Sequence, residues 1–363
     1  MKRLSSFIGA VIIFCSCEKY EPTPVNSSEL ESHIAGLVGT RTKKLPFEPP
    51  VAWAMVKAGR MEASYFQGSE VPGGNVSVSD RSLFILASAA KLFTSVMVMK
   101  AVEDKKIHLT AKASDYLDWL PQAWRNITIG QLLAHTDGVP DVGENAKYKE
   151  LPMETTEYMS RGDYLSYAAE LPLHFKAGLQ TRYGQTGYVI LSVILEKVYG
   201  KPYEKVVQEE ILKPLEMNDT HFITHHSEIM AFRPQIFEPD GNSFKKVTPG
   251  YVYADYATAG LCSNLKDMIK FICALQTYQL LNAENLRRLY TPVKGLSGFA
   301  LGWEYRYKDG ELMAGHSGGW SVVVMHLPKS NTTSIFLSSA ADESILNTGY
   351  QVAEKVKQFV DTP

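Results

Sequence analysis

Four Ser-x-x-Lys pairs stand in the chain, at Ser16/Lys19, Ser88/Lys91, Ser243/Lys246 and Ser263/Lys266. A serine hydroxyl is a poor nucleophile until a neighbour takes its proton. A lysine can take it when desolvation and nearby positive charge leave part of its amine neutral. The chemistry such a pair offers is acyl transfer through a covalent serine ester, but the pattern alone is loose and its setting must decide. Ser16 lies in the leading segment, Ser243 in the loop-like Asp240-Gly-Asn-Ser-Phe, and Ser263 stands before Asn-Leu-Lys-Asp-Met-Ile-Lys-Phe271 in the manner of a helix N-cap. Ser88 instead separates the apolar residues 83–87 from a helical run over 89–99. Positions i and i+3 share one helix face, which puts Lys91 beside the Ser88 hydroxyl with the small Ala89 and Ala90 leaving room around it. By themselves these residues read equally well as an N-cap serine and a solvated lysine.

The elements that must position the pair come from both ends of the chain. Residues 28–38 carry Leu30, Ile34 and Leu37 at helical spacing. Residues 51–57 and 61–67, joined through Ala58-Gly-Arg60, read as a β-hairpin. Near the C-terminus, 300–307, 311–315, 321–327 and 332–338 are strand-like, with short links at Lys308-Asp-Gly310, Gly318-Gly319 and Pro328-Lys-Ser-Asn331. Links this short favour an antiparallel sheet. An amphipathic helix over 345–360 closes the chain. Between the ends the pattern turns helical, most clearly over 128–135, 186–199 and 203–212, with Gly200-Lys-Pro202 and Lys213-Pro214 as stops. The expected fold is α/β (α+β): an antiparallel sheet flanked by helices, built from 29–100 and 250–363, around an all-helical region over 101–249. The active site belongs at their junction.

Two later segments fix the reading of Ser88. Gln180-Thr-Arg-Tyr183-Gly-Gln185 leads into a helix, and His316-Ser317-Gly318-Gly319 falls at the end of a strand. With Ser88-Ala-Ala-Lys91 they resemble, in order and rough separation, the three signature elements of the class C β-lactamase and D-alanyl-D-alanine peptidase family of serine hydrolases. Residues 127–141, 211–220 and 257–263 resemble further segments of that family, so the likeness covers most of the chain. It implies a β-lactamase/transpeptidase-like fold with Ser88 as nucleophile and Lys91 as the group that accepts or relays its proton. Tyr183 would be the second acid/base group, serving the leaving group and the deacylating water. A phenol holds its proton far above neutral pH, so this role needs cationic neighbours. Gln185 stands where the family usually has Asn, and would orient the substrate amide. His316-Ser317-Gly318 stands where class C β-lactamases have Lys-Thr-Gly; imidazole is only partly protonated at neutral pH, so the hold on an antibiotic carboxylate weakens. The oxyanion hole would be the N–H groups of Ser88 and Gly319, with glycine at 318 and 319 permitting close approach of substrate.

Composition narrows the setting. The chain of 363 residues has 45% hydrophobic and 21% charged residues and a formal net charge of -2, which is globular and without the basic surface that nucleic acid demands. Met1-Lys2-Arg3, an apolar run to Phe14 and Cys15-Ser16-Cys17 have the layout of a secretory signal, and Cys17 resembles a loose lipobox cysteine. Residues 18–28, rich in Pro, Glu and Ser, read as a tether. The expectation is an exported protein of the periplasm or outer envelope, touching membrane only through a lipid anchor. Cys262 and Cys273 are expected as buried thiols outside disulfide reach of one another. No cofactor and no metal is expected: His221, His225 and His226 lack a completing ligand and read as a surface cluster. Tyr251, Tyr253 and Tyr256 read as cleft wall or as packing. His135 and Asp141, which invite a triad with a serine, read as structural. The substrate expected is a D-amino-acid peptide of cell-wall type or a small ester. A β-lactamase is the close alternative, and a penicillin-binding sensor or interaction protein without turnover is the alternative from another class.

Overall fold

The hairpin seeds the main sheet. In the computed structural model of the protein, which describes residues 27–42, 48–225, 228–240, 243–250, 252–293, 295 and 298–361, strands β1 (Val51–Lys57) and β2 (Arg60–Gln67) are joined by Ala58 and Gly59. Both linkers have positive φ, 49° and 81°, as a two-residue hairpin turn requires. Arg60, expected in the turn, therefore pairs with Lys57 in the ladder. The C-terminal part adds β3 (Glu304–Lys308), β4 (Glu311–Gly318), β5 (Val322–Leu327) and β6 (Thr332–Ser338). The six strands lie in the order β2-β1-β6-β5-β4-β3, each pair antiparallel. β4 runs three residues past its expected end, so His316, Ser317 and Gly318 are inside the strand and the turn begins at Gly319.

Alternation along the strands sorts the two faces. Trp53, Met55, Met313, Val323, Met325 and Phe336 meet Leu30, Ile34 and Val38 of the first helix (Ser27–Thr42) and Ile345, Val352 and Val356 of the last (Glu343–Asp361). Val38 takes the core position expected of Leu37, which is half-buried. Ala52, Ala54, Val56, Ala314, Val324, Ile335 and Leu337 face the other way, into the core shared with the helical half of the molecule. His316 has the parity of Ala314, and so belongs to that second face.

The helix Lys91–Glu103 is the centre of the second layer. It is buried from Lys91 through Met99 and again at Ala101, and Phe93 stacks on Phe271 of the helix Leu265–Gln276 with ring centroids 4.1 Å apart. A helix buried on all sides is apolar all round, which explains its lack of an amphipathic stripe. The helix Ile129–Leu133 starts at Thr128, whose side chain accepts from the Gln131 N–H, and stops before His135, at φ 56°. The helix Thr186–Tyr199 ends as expected at Gly200, φ 67°. Tyr203–Val207 continues as a π-helical turn to Leu212. Short strands His221–Phe222, Ile236–Asp240 and Ser243–Val247 also lie within 101–249.

Two of the competing serines find other places. Ser243, expected in a loop, opens a strand, where residues three apart face opposite sides and cannot cooperate. Ser263 ends the strand Leu261–Ser263 with its hydroxyl 2.7 Å from that of Thr220, and the following helix is capped instead by Asn264, which accepts from the Asp267 N–H. Cys262 is buried in that strand, where burial pushes its thiol up to about 12, and Cys273 is half-buried on the following helix. The signal, Cys17 and residues 18–26 of the tether lie outside the described residues; Ser27 and Ser28 already belong to the first helix. No described helix is long and apolar enough to cross a membrane.

Candidate active site

Ser88 sits in a 3-10 turn, Ala87–Ala90, that runs straight into the helix of Lys91, so it is not the N-cap of that helix. At three residues per turn, i and i+3 eclipse, and Ser88 and Lys91 share a side more closely than in an α-helix. The turn is entered through Ala87 at φ 46°, a left-handed conformation that costs an alanine energy and that the surrounding packing must enforce. Ser88 itself is half-buried, between Ala87 and Ala89, which are buried.

Lys91 is fully buried and its amine makes three hydrogen bonds: to the Tyr183 hydroxyl at 2.8 Å, to Gln185 Oε1 at 2.6 Å and to the Thr258 carbonyl at 3.2 Å. The amine also lies 4.9 Å from the centre of the Tyr183 ring and 5.5 Å from that of Tyr188. An amide oxygen and a carbonyl only accept, so they hold two of the N–H bonds in either protonation state. The third contact differs. Lys91 can donate to the phenol oxygen, or a neutral amine can accept from the phenol, so one proton can pass between Lys91 and Tyr183 without rearranging the other two bonds. The extra methylene of Gln185 is accommodated by seating its oxygen on Lys91, which leaves its NH2 group as a donor.

The loop bearing Tyr183 is tied to residues 135–141. The His135 carbonyl accepts from the Arg182 N–H at 2.9 Å, and His135 Nδ1 accepts from the Gly184 N–H at 3.4 Å. Asp141 Oδ1 accepts from the N–H groups of Gln185 and Thr186 at 2.6 and 3.1 Å, which caps the helix Thr186–Tyr199. His135 and Asp141 are therefore the two clamps on Tyr183 and not a triad with Ser88. The Tyr183 ring stacks on Phe299 with centroids 5.4 Å apart, and lies 4.8 Å from His135 and 5.9 Å from His316.

Asp137, in the same segment, accepts from the Val139 N–H at 2.8 Å, and burial pushes its carboxyl up to about 7. The folded protein thus keeps a proton that the unfolded chain, near 3.9, releases. Ionisation works against the fold, and stability falls as pH rises from about 4 to about 7. Asp137→Asn keeps the acceptor and removes the charge. Its gain over wild type in urea unfolding is expected to be larger at pH 8 than at pH 5 by on the order of 2–3 kcal/mol.

On β4, His316 is 2% exposed and its Nδ1 donates to the Ser317 carbonyl at 2.7 Å. Burial, reinforced by Lys91, pulls its imidazole down to about 3, so it is neutral at physiological pH. His135 is held neutral in the same way, by burial, Lys91 and His316. The Ser317 hydroxyl donates to Glu304 Oε2 at 3.2 Å, on the strand face opposite His316. Of the expected group it is the one whose side chain turns away. A Cβ at Gly318 would stand 2.2 Å from the Leu86 carbonyl oxygen, so this glycine admits the protein's own backbone; Gly319 has open space. Gly318→Ala is expected to push β4 off the Ser88 turn and lower kcat/KM for an activated ester about a hundredfold, since an ångström of misplacement costs about that much.

Other groupings resolve as packing. Tyr256 stacks on Phe222 and donates to the Ile223 carbonyl at 2.6 Å, while the Tyr253 hydroxyl donates to Glu204 at 3.3 Å; Tyr251 lies outside the described residues. His221 Nδ1 bonds the Asp219 carbonyl and His225 lies 3.4 Å from Glu157, so the two point to separate partners; His226 lies outside the described residues. The Thr258 carbonyl and Phe299 have no signal in the sequence: a backbone acceptor leaves no side-chain signature, even within the family-like stretch 257–263.

The chain is similar in sequence and fold to several known proteins. N-acetylmuramyl-L-alanine amidase of Bacillus subtilis (strain 168) is 28% identical over 189 residues, 47% of this chain and 42% of that protein, so the chain spans less than half of it. A putative D-alanyl-D-alanine carboxypeptidase of Escherichia coli (strain K12) is 24% identical over 324 residues, 76% of this chain and 73% of that one. In fold, the chain is similar to the crystal structure of D-amino acid amidase from Ochrobactrum anthropi SV3 complexed with L-phenylalanine, with a TM-score of 0.78 at 19% identity, covering 91% of this chain and 99% of that one. The beta-lactamase family model matches residues 43–356, nearly the whole described chain. A match of that extent decides the family: the protein belongs to the beta-lactamase family of serine hydrolases.

Proposed function

We propose that the protein is an exported hydrolase that cleaves D-amino-acid peptides of cell-wall type, or small esters, through an acyl-enzyme on Ser88. The observation that carries this reading is the buried Lys91 amine bonded to Tyr183 at 2.8 Å, at the start of the helix into which the 3-10 turn of Ser88 runs. Ser88 Oγ attacks the substrate carbonyl while its proton passes to the Lys91–Tyr183 pair. The N–H groups of Ser88 and Gly319 receive the oxyanion. The pair then gives the proton to the leaving amine or alcohol as the carbonyl–heteroatom bond breaks. A water attacks the ester, its proton goes to the same pair and returns to Ser88 Oγ, and the acid is released. The Gln185 NH2 group holds the substrate amide; that its oxygen accepts from Lys91 supports this part of the reading. The basic start, apolar run and Cys17 support export with a lipid anchor.

A neutral His316 supports a peptidase or esterase over an efficient β-lactamase, because it offers no fixed charge to the antibiotic carboxylate. The test is intact-mass analysis during incubation with a D-alanyl ester, a D-alanyl-D-alanine peptide and a penicillin. The expected result is an adduct on the peptide containing Ser88 that clears quickly for the first two and slowly for the penicillin. An adduct that persists with all three means a binder without turnover. An adduct on another residue overturns the mechanism.

A further inference from the structure

We infer that Asp255 is a positioning residue for Lys91: bonded to Thr258 through its carbonyl and its carboxyl group, it fixes the Thr258 carbonyl that holds the amine. This rests on the proposed roles of Ser88 and Lys91.

Thr258 is fully buried, and three of its bonds run back to one residue. Its N–H donates to the Asp255 carbonyl at 2.9 Å, and its hydroxyl lies 3.1 Å from the same carbonyl and donates to the Asp255 carboxyl group. The peptide whose carbonyl meets Lys91 Nζ is thus closed onto Asp255, and cannot turn away without breaking that knot. A backbone acceptor held in this way keeps the amine on Tyr183 and Gln185.

The test reads kcat and KM for an activated ester separately. Thr258→Val cuts the knot, and kcat is expected to fall about tenfold with KM within about twofold. Asp255→Ala removes the acceptor of the same hydroxyl and is expected to lower kcat by the same factor, with the double variant no lower than either single one. Thr258→Ser keeps the hydroxyl and is expected to stay within about threefold of wild type. A Thr258→Val kcat equal to wild type, a Thr258→Ser kcat as low as that of Thr258→Val, or losses that add in the double variant overturn the positioning role. Fluorophosphonate labelling of wild type at Ser88 is the control. Its absence would sink the proposed reaction itself, a result distinct from labelled enzyme with unchanged kinetics in the variants.

Discussion

Ser88→Ala is expected to abolish the acyl-enzyme and to lower turnover about ten-thousandfold or more, while leaving the melting temperature within about a degree of wild type. Removing the nucleophile takes away the covalent path altogether, and what remains is whatever the oxyanion donors and substrate binding supply. Stability is spared for a local reason. Ser88 is half-buried and the turn Ala87–Ala90 carries no side-chain cap bond, so alanine removes no structural hydrogen bond there. The strain of the turn is held in the backbone of Ala87 and in the close approach of Leu86 to Gly318, and neither is touched. Labelling with a fluorophosphonate and a thermal melt on the same preparation check both halves. Equal labelling of variant and wild type would remove Ser88 from the mechanism. A large fall in melting temperature would give it a structural part that the geometry does not indicate.

What could be read in the sequence follows from how local each signal is. The hairpin and the C-terminal strands were legible because period-two patterning and Gly or Asn at the turns are local, and the misses are boundaries: Arg60 joins its strand, and β4 carries on through Ser317 and Gly318. Glycine was read there as room for substrate, whereas Gly318 meets the Leu86 carbonyl, a contact between segments more than two hundred residues apart that no window along the chain can contain. Choosing among the four Ser-x-x-Lys pairs needed Tyr183 and His316 in order, since spacing alone could not tell a strand at Ser243 from a loop. Electrostatics was the least legible. The sequence suggests a partly charged His316, but only burial beside Lys91 makes it neutral. The sequence marks His135 and Asp141 as structural without saying what they hold; their work is in a carbonyl, an Nδ1 and a capping oxygen that hold the Tyr183 loop. Such roles depend on backbone partners brought together by folding.

Lys91→Met is expected to lower turnover at least about a thousandfold while leaving the protein as stable as wild type or more so. Loss of activity follows from the proton: with no amine, the Ser88 hydroxyl has no partner to pass its proton to and Tyr183 loses the group it shares a proton with. Lys91→Arg tests that point separately, since a guanidinium keeps the charge but does not give up a proton, and it should be equally inactive. The stability half turns on which of two opposed effects is larger. Removing the amine leaves the buried Thr258 carbonyl without its donor, at about 1–3 kcal/mol. Gln185 is half-buried and can turn its amide toward water, and Tyr183, an exposed residue, can turn its hydroxyl there as well. Against this single orphan stands the cost of keeping a polar amine at zero exposure, which methionine removes at nearly the same volume. The buried amine is thus retained for chemistry at the expense of stability, a pattern common where a site must stay strained to work. A melting temperature for Lys91→Met several degrees below wild type would reverse that conclusion and make the three-bond cluster a stabilising element of the core.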